Sequence, residues 1–293
     1  MLKRGLAVVL ALSVAVATVT AVQYAAEVDP RALEVLPRPR VAVAAIATLL
    51  ATTGYFGLRW LRWHYLVRRF TRRIRARDSV VLYFATLPAL LTPFGLGELV
   101  RVLALRKRSP QATRHLLLVF ALERGFEAAA VAGVALFDQG LPVALGPSVA
   151  VGVLAVLLHR HLTRRGEGRS LLGFAPVAVG LSLLEWVLVG AAFSFLLAEV
   201  TGVASSPSAV ASLGLATLEG GLTGLPLGTG VTSTALIEEL TRLGYPRAPA
   251  IVAAAAYRMG TAWYAVAAGV VCAALFRREV VALFRDAGPA DHF

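Results

Sequence analysis

Cysteine, histidine and methionine are scarce in this sequence. Cys272 is the only cysteine, so no disulfide can form within the chain and no cysteine-based zinc site can be assembled. None of the five histidines lies in the middle of an apolar segment, and no nucleophile–base pair is evident. We therefore expect no metal, no cofactor and no catalytic residue, and we predict that the chain is not an enzyme.

Acidic residues are also few, with 17 Asp and Glu against 29 Lys and Arg and a formal net charge of +12. An excess of this kind is common in nucleic-acid-binding proteins. Here, however, the arginines cluster in short segments between long apolar runs, which is how membrane topology is encoded. The charge pattern indicates a membrane protein, and we expect no nucleic-acid partner.

Apolar residues, in contrast, make up 58% of the chain, with a mean hydropathy of +0.73; soluble domains have about 45–50%. Six segments are each long enough to cross a hydrocarbon core of about 30 Å as a helix. These segments are residues 5–25, 41–58, 115–138, 142–159, 171–197 and 248–276. The first resembles a signal peptide, but we expect it to be retained. We predict an all-α integral membrane protein with a single transmembrane domain over residues 1–293.

Two further apolar segments, 79–100 and 206–235, are interrupted by proline and glycine. Basic segments, 59–77 and 101–114, flank the first of them on both sides. If 79–100 crossed the bilayer, these basic segments would face opposite sides, which the positive-inside rule disfavours. We predict that both interrupted segments are re-entrant and that both chain termini lie in the cytoplasm. The arginine- and alanine-rich composition favours the cytoplasmic membrane of a bacterium.

Segment 59–77 carries eight arginines. Its apolar residues recur at helical spacing, a pattern typical of an amphipathic helix lying in the headgroup layer. These residues are Trp60, Trp63, Val67, Phe70 and Ile74. We therefore predict a cytoplasmic amphipathic helix over this segment, which is compatible with a role as a topology signal for the preceding span.

The two interrupted segments resemble each other. Arg124 follows Pro93 by 31 residues, and Arg258 follows Pro226 by 32. Each arginine lies within an apolar segment and precedes a run of small residues. Three full spans separate the two elements, so we expect opposite orientations in the membrane, as in inverted repeats whose broken helices form a binding site. The predicted repeat elements are residues 79–138 and 206–276.

Charged residues within the apolar segments mark the candidate site. Glu123, Arg124 and Glu127 are spaced to share one side of the third span. An isolated charge at the bilayer centre costs about 2.5–3.5 kcal/mol, so several together imply mutual pairing, a water-filled cavity or both. Other charges of this kind are Glu98, Arg101, Glu185 and Arg258.

Two interpretations of these charges stay open. As an ion-pair network they would fix helix packing. As a binding site, Arg124 and Arg258 would contact a phosphate, which guanidinium geometry suits. Free backbone N–H groups where helices resume after Gly97 and Gly230 would then help to bind the anion. The interpretations overlap, because a binding site must also be held in place.

These motifs resemble the transmembrane region of lysylphosphatidylglycerol synthases and its stand-alone, flippase-like relatives. The first element is similar to the family's pattern of a proline followed by Gly-Glu and then an arginine three residues on. The matching residues are Pro93, Gly97, Glu98 and Arg101. The family's next Glu-Arg pair is matched by Glu123 and Arg124, with Glu127 in place of a nearby acidic residue.

The resemblance continues through the second element, and together the motifs cover nearly the whole chain. Here the matching residues are Pro226, Gly228, Gly230, Gly244 and Arg258. One position departs from the family pattern, which often has a glutamate three residues after the last glycine of the stretch. This chain has Ser233 there, and the next carboxylates are those of Glu238 and Glu239.

The resemblance implies a lipid translocase that moves an anionic or phosphate-bearing lipid, either a phospholipid or a polyprenyl-phosphate-linked glycolipid, between leaflets. The substrate-binding residues it implies are Glu98, Arg101, Glu123, Arg124, Glu127, Arg258, Pro93, Gly97, Pro226, Gly228, Gly230 and Ser233. The fused enzymes of the family also carry a soluble aminoacyl-transfer domain. Because only a short tail follows the last predicted span, we do not expect this chain to make the modified lipid itself.

Two other functions remain open. One is an accessory membrane protein that binds lipid for a lipid synthase or a glycosyltransferase. The other is a polyprenyl-phosphate-dependent glycosyltransferase, for which Glu27 and Asp29 in the first external loop are the best support, although ordinary solvated charge explains them better. Membrane lipids with an anionic headgroup are the expected ligands, and a synthase or glycosyltransferase partner and an oligomer are left open.

Overall fold

A computed structural model describes residues 37–70, 74–108, 113–163, 175–228 and 230–284. Within these ranges every regular element is a helix, which confirms the all-α prediction. The predicted first span at 5–25 and both chain termini lie outside the described residues.

The described residues form α-helices and two breaks. In chain order the α-helices are α1 (Pro39–Phe70), α2 (Ala76–Ala85), α3 (Leu99–Arg108), α4 (Thr113–Ala135), α5 (Leu141–Thr163), α6 (Ala175–Thr201), α7 (Pro207–Leu222), α8 (Val231–Arg242), α9 (Arg247–Arg258), α10 (Tyr264–Leu275) and α11 (Arg277–Phe284). The first break consists of the 3-10 turns Leu87–Leu91 and Pro93–Glu98, and the second of Pro226–Gly228. We call α2, the first break and α3 the first broken element, and α7, the second break and α8 the second.

Three stretches of described helix are long and apolar enough to cross a membrane: Pro39–Arg68, Ala175–Thr201 and Arg247–Leu275. Large apolar side chains on these helices are exposed, among them Leu50 and Leu275. Extensive apolar exposure is unfavourable in water but not against lipid tails, which are as apolar as leucine. The chain is a multi-pass membrane protein.

The three stretches coincide with the predicted spans at 41–58, 171–197 and 248–276 over the described residues. The spans predicted at 115–138 and 142–159 form α4 and α5, each of 23 residues. Charged residues interrupt the apolar character of α4, and the apolar part of α5 is Leu141–Leu157. The predicted helices are thus present at these positions.

The basic segment 59–77 departs from its prediction. Helix α1 continues without interruption to Phe70, so the first part of the segment extends the preceding span and is not a separate amphipathic helix. The side chains of Arg59 and Arg62 are buried within the protein. Burial is stable here because both arginines have carboxylate partners on neighbouring helices.

Glycine is required in both breaks because the chain turns tightly there. A Cβ atom on Gly97 would lie only 2.5 Å from the carbonyl oxygen of Ala89. Gly228 and Gly230 have φ angles of +61° and +83°, which glycine adopts without steric cost. Leu227, between Pro226 and Gly228, has φ of +53° and is the only described non-glycine residue with a positive φ. Such backbone strain persists where the surrounding structure holds it, often at functional sites.

The two broken elements contain the same parts in the same order. Each is followed by a long helical stretch with an arginine inside it. The first stretch is α4, which contains Arg124, and the second is Arg247–Leu275, formed by α9, a π-helical turn and α10, which contains Arg258. Pro93 and Pro226 are 133 residues apart, and the two arginines are 134 apart. The matching parts are therefore displaced along the chain by a nearly constant number of residues, while their opposite orientation in the membrane stays a prediction.

Each broken element packs against the long helix that follows the other one. The Leu87–Leu91 turn and α2 pack on α10, where Gly269 permits close approach, and α7 packs on α4 at Gly214. The two breaks contact each other between these pairs. This reciprocal packing places Arg124 and Arg258 around a common space.

Candidate functional site

Arg59 of α1 lies at the centre of a buried group of charged side chains. Its guanidinium contacts the carboxylates of Glu98 at 3.3 Å, Glu123 at 3.4 Å and Glu127 at 2.9 Å. Only 2% of the Arg59 side chain is exposed. Three parts of the fold, namely α1, the first break and α4, therefore meet around one guanidinium.

Two further arginines complete this group. Arg101 of α3 contacts Glu98 at 3.3 Å, and its guanidinium lies over the ring of Tyr83 at 3.9 Å. Arg124 of α4 contacts Glu98 at 2.8 Å and Glu127 at 2.9 Å. We call Arg59, Glu98, Arg101, Glu123, Arg124 and Glu127 the charge cluster. Its three positive and three negative charges make it neutral as a whole.

Burial explains why the cluster is balanced. Moving an ion from water into a protein interior costs several kcal/mol, which only close pairing and additional hydrogen bonds offset. The Tyr55 hydroxyl donates to Glu127 at 3.0 Å, and Arg101 Nε donates to the Thr86 hydroxyl at 2.8 Å. Arg124 Nε is buried without a hydrogen-bond partner among the described residues.

Arg258 stands apart from the charge cluster. Its guanidinium donates to the carbonyl oxygen of Leu227, in the second break, at 2.6 Å. No carboxylate of the described residues forms an ion pair with it. A π-helical turn, Met259–Trp263, follows directly and joins α9 to α10. Turns of this kind are frequent at functional sites.

A cavity of about 550 Å³, within the size range of small-molecule sites, is lined by α1, α4, α6, the second broken element and the helix around Arg258, with Leu90 from the first break. Its walls are mostly apolar, and its charged lining residues are Arg59, Arg124, Glu127 and Arg258. Apolar lining residues include Phe56, Val131, Trp186, Val189, Leu218, Leu222 and Leu225. The arginines of the two repeats thus share one cavity, although they are far apart in the sequence.

The predicted site residues fall into three groups. Arg124, Glu127, Arg258 and Gly228 line the cavity. Glu98, Arg101 and Glu123 are buried behind it in the charge cluster. The remaining predicted residues, Pro93, Gly97, Pro226 and Gly230, belong to or border the two breaks, and Ser233 lies half-buried in the first turn of α8 outside the cavity lining.

Sequence reasoning missed Arg59 as a site residue. It follows the apolar run of α1 directly, and the positive-inside interpretation assigned it to the cytoplasmic segment 59–77. A signal was present, because the predicted site held Glu98, Glu123 and Glu127 but only two nearby arginines. A buried excess of carboxylates requires another cation.

A second buried ion pair lies apart from the cavity. Arg62 of α1 contacts Glu185 of α6 at 2.8 Å and also donates to the Ser182 hydroxyl. Both charged side chains are fully buried. Since α1 and α6 pack together along their lengths, this pair fixes their register and belongs to packing.

Within the described ranges no group of three or more His, Cys, Asp and Glu side chains is placed to hold a metal ion. The cluster carboxylates are occupied by arginines instead. The arrangement is suited to binding an anion through guanidinium groups in an apolar surrounding.

The fold and the site together define a class: an all-α membrane protein with two broken elements and a charged cavity beside them. The sequence model of the family described as the lysylphosphatidylglycerol synthase TM region matches residues 5–269, and the chain belongs to this family. No curated protein and no solved structure matches the chain. Family membership indicates a function related to membrane lipids.

Proposed function

We propose that this protein is a lipid translocase that moves an anionic or phosphate-bearing lipid, a phospholipid or a polyprenyl-phosphate-linked glycolipid, between membrane leaflets. One observation carries the proposal: Arg124 and Arg258, one from each repeat, line a single cavity that is otherwise mostly apolar. A phosphate held by two guanidinium groups receives charge-assisted hydrogen bonds from both. Broken helices meeting around a shared site are the arrangement that alternating-access transporters use.

The lining of the cavity favours a lipid over a soluble anion. Leu222 and Leu225 line the cavity and are also exposed at the protein surface, Leu222 by 82%. A lipid with its phosphate at the arginines would pass these leucines and keep its acyl chains in the bilayer. Exposed leucines in this position are unfavourable beside water but suit hydrocarbon chains.

The charge cluster would hold Arg124 in place during binding. Glu98 and Glu127 contact it from the first break and from its own helix. A membrane potential that is negative inside favours outward movement of a monoanion by about 2.3 kcal/mol per 100 mV. Export would therefore need no other energy source, whereas inward movement would need coupling, for which the buried glutamates are the candidates.

We also propose that the protein acts without chemical conversion of the lipid, in the cytoplasmic membrane of a bacterium, with both termini in the cytoplasm. The basic segments between the predicted spans support this orientation.

A liposome assay tests the translocase proposal. Purified protein would be reconstituted with a fluorescent phosphatidylglycerol or a fluorescent polyprenyl phosphate, and a membrane-impermeant reductant would bleach the outer leaflet. We expect the wild type to expose inner-leaflet lipid to bleaching, and Arg124→Ala and Arg258→Ala to bleach no more than empty liposomes. Arg242→Ala, which changes an arginine whose side chain is 73% exposed and outside the cavity lining, should behave like the wild type.

The same assay has an outcome that contradicts the proposal. If neither lipid moves faster than in empty liposomes, although the protein is folded and binds lipid, the protein is not a translocase of these lipids. The accessory lipid-binding function would then take its place, and the next step would be a search for a partner synthase or glycosyltransferase.

A further inference from the structure

The charges around the cavity do not cancel. The charge cluster is neutral, because each of its arginines is matched by a glutamate within 3.4 Å. Arg258 is additional, and its hydrogen bond to the Leu227 carbonyl supplies no negative charge. Among the described residues, the groups at the site therefore carry a net charge of one positive unit.

A half-buried guanidinium without a counter-charge is unfavourable, since pairing must offset the loss of hydration. Arg124 differs in this respect, because two carboxylates already neutralise it. The two repeat arginines are thus similar in position but not in electrostatic state. A negatively charged headgroup therefore gains the most electrostatic stabilisation by pairing with Arg258.

We propose that the site selects lipids whose headgroup carries a net charge of −1, with the phosphate paired to Arg258 and hydrogen-bonded by Arg124. This inference rests on the proposed binding of a lipid in the cavity and narrows its substrate class to phosphodiesters without a compensating amine. A phosphatidylglycerol and a sugar linked to a polyprenyl chain by one phosphate share this chemistry.

Among the residues that the structure describes at the site, every cation other than Arg258 already has a carboxylate partner, so a second negative charge on the headgroup would have none to pair with. Glu127 lines the cavity, and 18% of its side chain is exposed there, so a dianion would face a carboxylate at close range. A zwitterionic headgroup contains a positive group that neutralises its own phosphate, so it does not neutralise the positive charge of Arg258. Both kinds of lipid should bind more weakly than a monoanion.

Displacement of a bound probe tests the charge selectivity. A fluorescent phosphatidylglycerol would be bound to the purified protein in neutral detergent and displaced by three unlabelled lipids at pH 8. These are phosphatidylglycerol with one negative charge, phosphatidic acid, a phosphomonoester that can take a second negative charge, and zwitterionic phosphatidylcholine. We expect phosphatidylglycerol to displace the probe at about tenfold lower concentration than either competitor, the effect of one charged hydrogen bond.

We expect two charge-changing variants to alter the lipid selectivity in different ways. Arg258→Gln removes the unmatched cation and should abolish the preference for phosphatidylglycerol over phosphatidylcholine. Glu127→Gln removes one negative charge and so raises the net charge of the site by one unit. It should improve displacement of the probe by phosphatidic acid, relative to phosphatidylglycerol, by about tenfold. The matched control, Arg242→Gln, exchanges an exposed arginine outside the cavity lining and should keep the wild-type order.

The wild type alone can overturn the inference, even if a variant does not fold. Equal displacement by phosphatidic acid and phosphatidylglycerol contradicts it, as does an Arg258→Gln protein that is folded and retains wild-type selectivity. Because the assay measures binding, selective binding without bleaching in liposomes would remove the translocase proposal and leave this inference standing. Failure of the wild type to bind any of the lipids would remove both.

Discussion

Among single residues, Arg59 contributes most to the charge cluster, because it is almost fully buried and contacts all three glutamates within 3.4 Å. Arg101 contacts only Glu98 at 3.3 Å, and Arg124, which is 26% exposed, reaches Glu123 only at 3.9 Å. Without Arg59, three carboxylates would share two arginines, and two of those carboxylates, Glu98 and Glu123, are almost fully buried. Removing one partner of a buried ion pair costs about 3–5 kcal/mol, mainly because the remaining charge is left uncompensated.

We predict that Arg59→Met lowers the free energy of unfolding by about 3–5 kcal/mol. The measurement is the thermal unfolding midpoint of the purified protein in detergent, followed by tryptophan fluorescence. A double variant, Arg59→Met with Glu123→Gln, should recover part of the loss, since it restores the balance of the cluster. Arg242→Met is the control, and a surface change of this kind should stay within about 0.5 kcal/mol. Equal midpoints for Arg59→Met and the control would show that the cluster does not stabilise the fold.

The sequence predicted some of these residues and missed others for a physical reason. Glu123, Arg124 and Arg258 lie inside apolar runs, where any charge is conspicuous. Arg59 lies at the end of an apolar run and beside further arginines. Its sequence neighbourhood is therefore the same as that of the solvent-exposed basic residues that flank a membrane span. Only the tertiary structure places it opposite carboxylates that are 39 and 64 positions away.

Among the helices and breaks, glycines at two helix crossings determine how closely the repeats approach. A Cβ atom on Gly269 of α10 would lie 2.4 Å from Pro88 Cδ, in the first break. A Cβ atom on Gly214 of α7 would lie 2.4 Å from the backbone nitrogen of Ala135 in α4. Small residues allow this kind of close helix packing in membranes. The two crossings are counterparts, each joining one broken element to the long helix of the other.

We predict that Gly269→Ala and Gly214→Ala each separate a broken element from the long helix that follows the other one, and that both changes lower lipid translocation in the liposome assay. Overpacking of this kind typically costs about 1–3 kcal/mol, so the thermal midpoint should also fall. Gly180→Ala is the matched control, because no atom lies within 4 Å of a Cβ atom at that position of α6. Wild-type translocation in both crossing variants would contradict the idea that these contacts position the cavity.

The breaks could be predicted from the sequence, but the crossings could not. Proline and glycine in an apolar run indicate interrupted helix by local rules alone, as at Pro93 and Pro226. Gly214 and Gly269 lie within ordinary small-residue runs, and nothing in their neighbourhood identifies their partners. The partners are set by which helices pack together, which only the three-dimensional arrangement determines.

In the whole molecule, segments predicted for the same side of the membrane contact each other. Arg77 of α2 pairs with Glu279 of α11 at 3.2 Å, and both segments are predicted to be cytoplasmic. Tyr245, which precedes α9, donates to the Ala204 carbonyl at 3.1 Å, and both of these segments are predicted to be external. Each contact therefore joins segments on the same predicted side of the membrane, and this agrees with the topology predicted from the positive-inside rule.

Labelling of single cysteines tests this orientation. Cys272, the only cysteine, would be replaced by alanine, and a cysteine would be introduced at Arg77 or at Arg242, whose side chains are 74% and 73% exposed. In intact cells we expect a membrane-impermeant maleimide to label Arg242→Cys at once and Arg77→Cys only after permeabilisation. Labelling in the reverse pattern would invert the proposed topology. Labelling of both positions from one side would mean that one of the two broken elements crosses the membrane. The helices α4, α5 and α6 supply three crossings between the two positions, and one further crossing would make the number even.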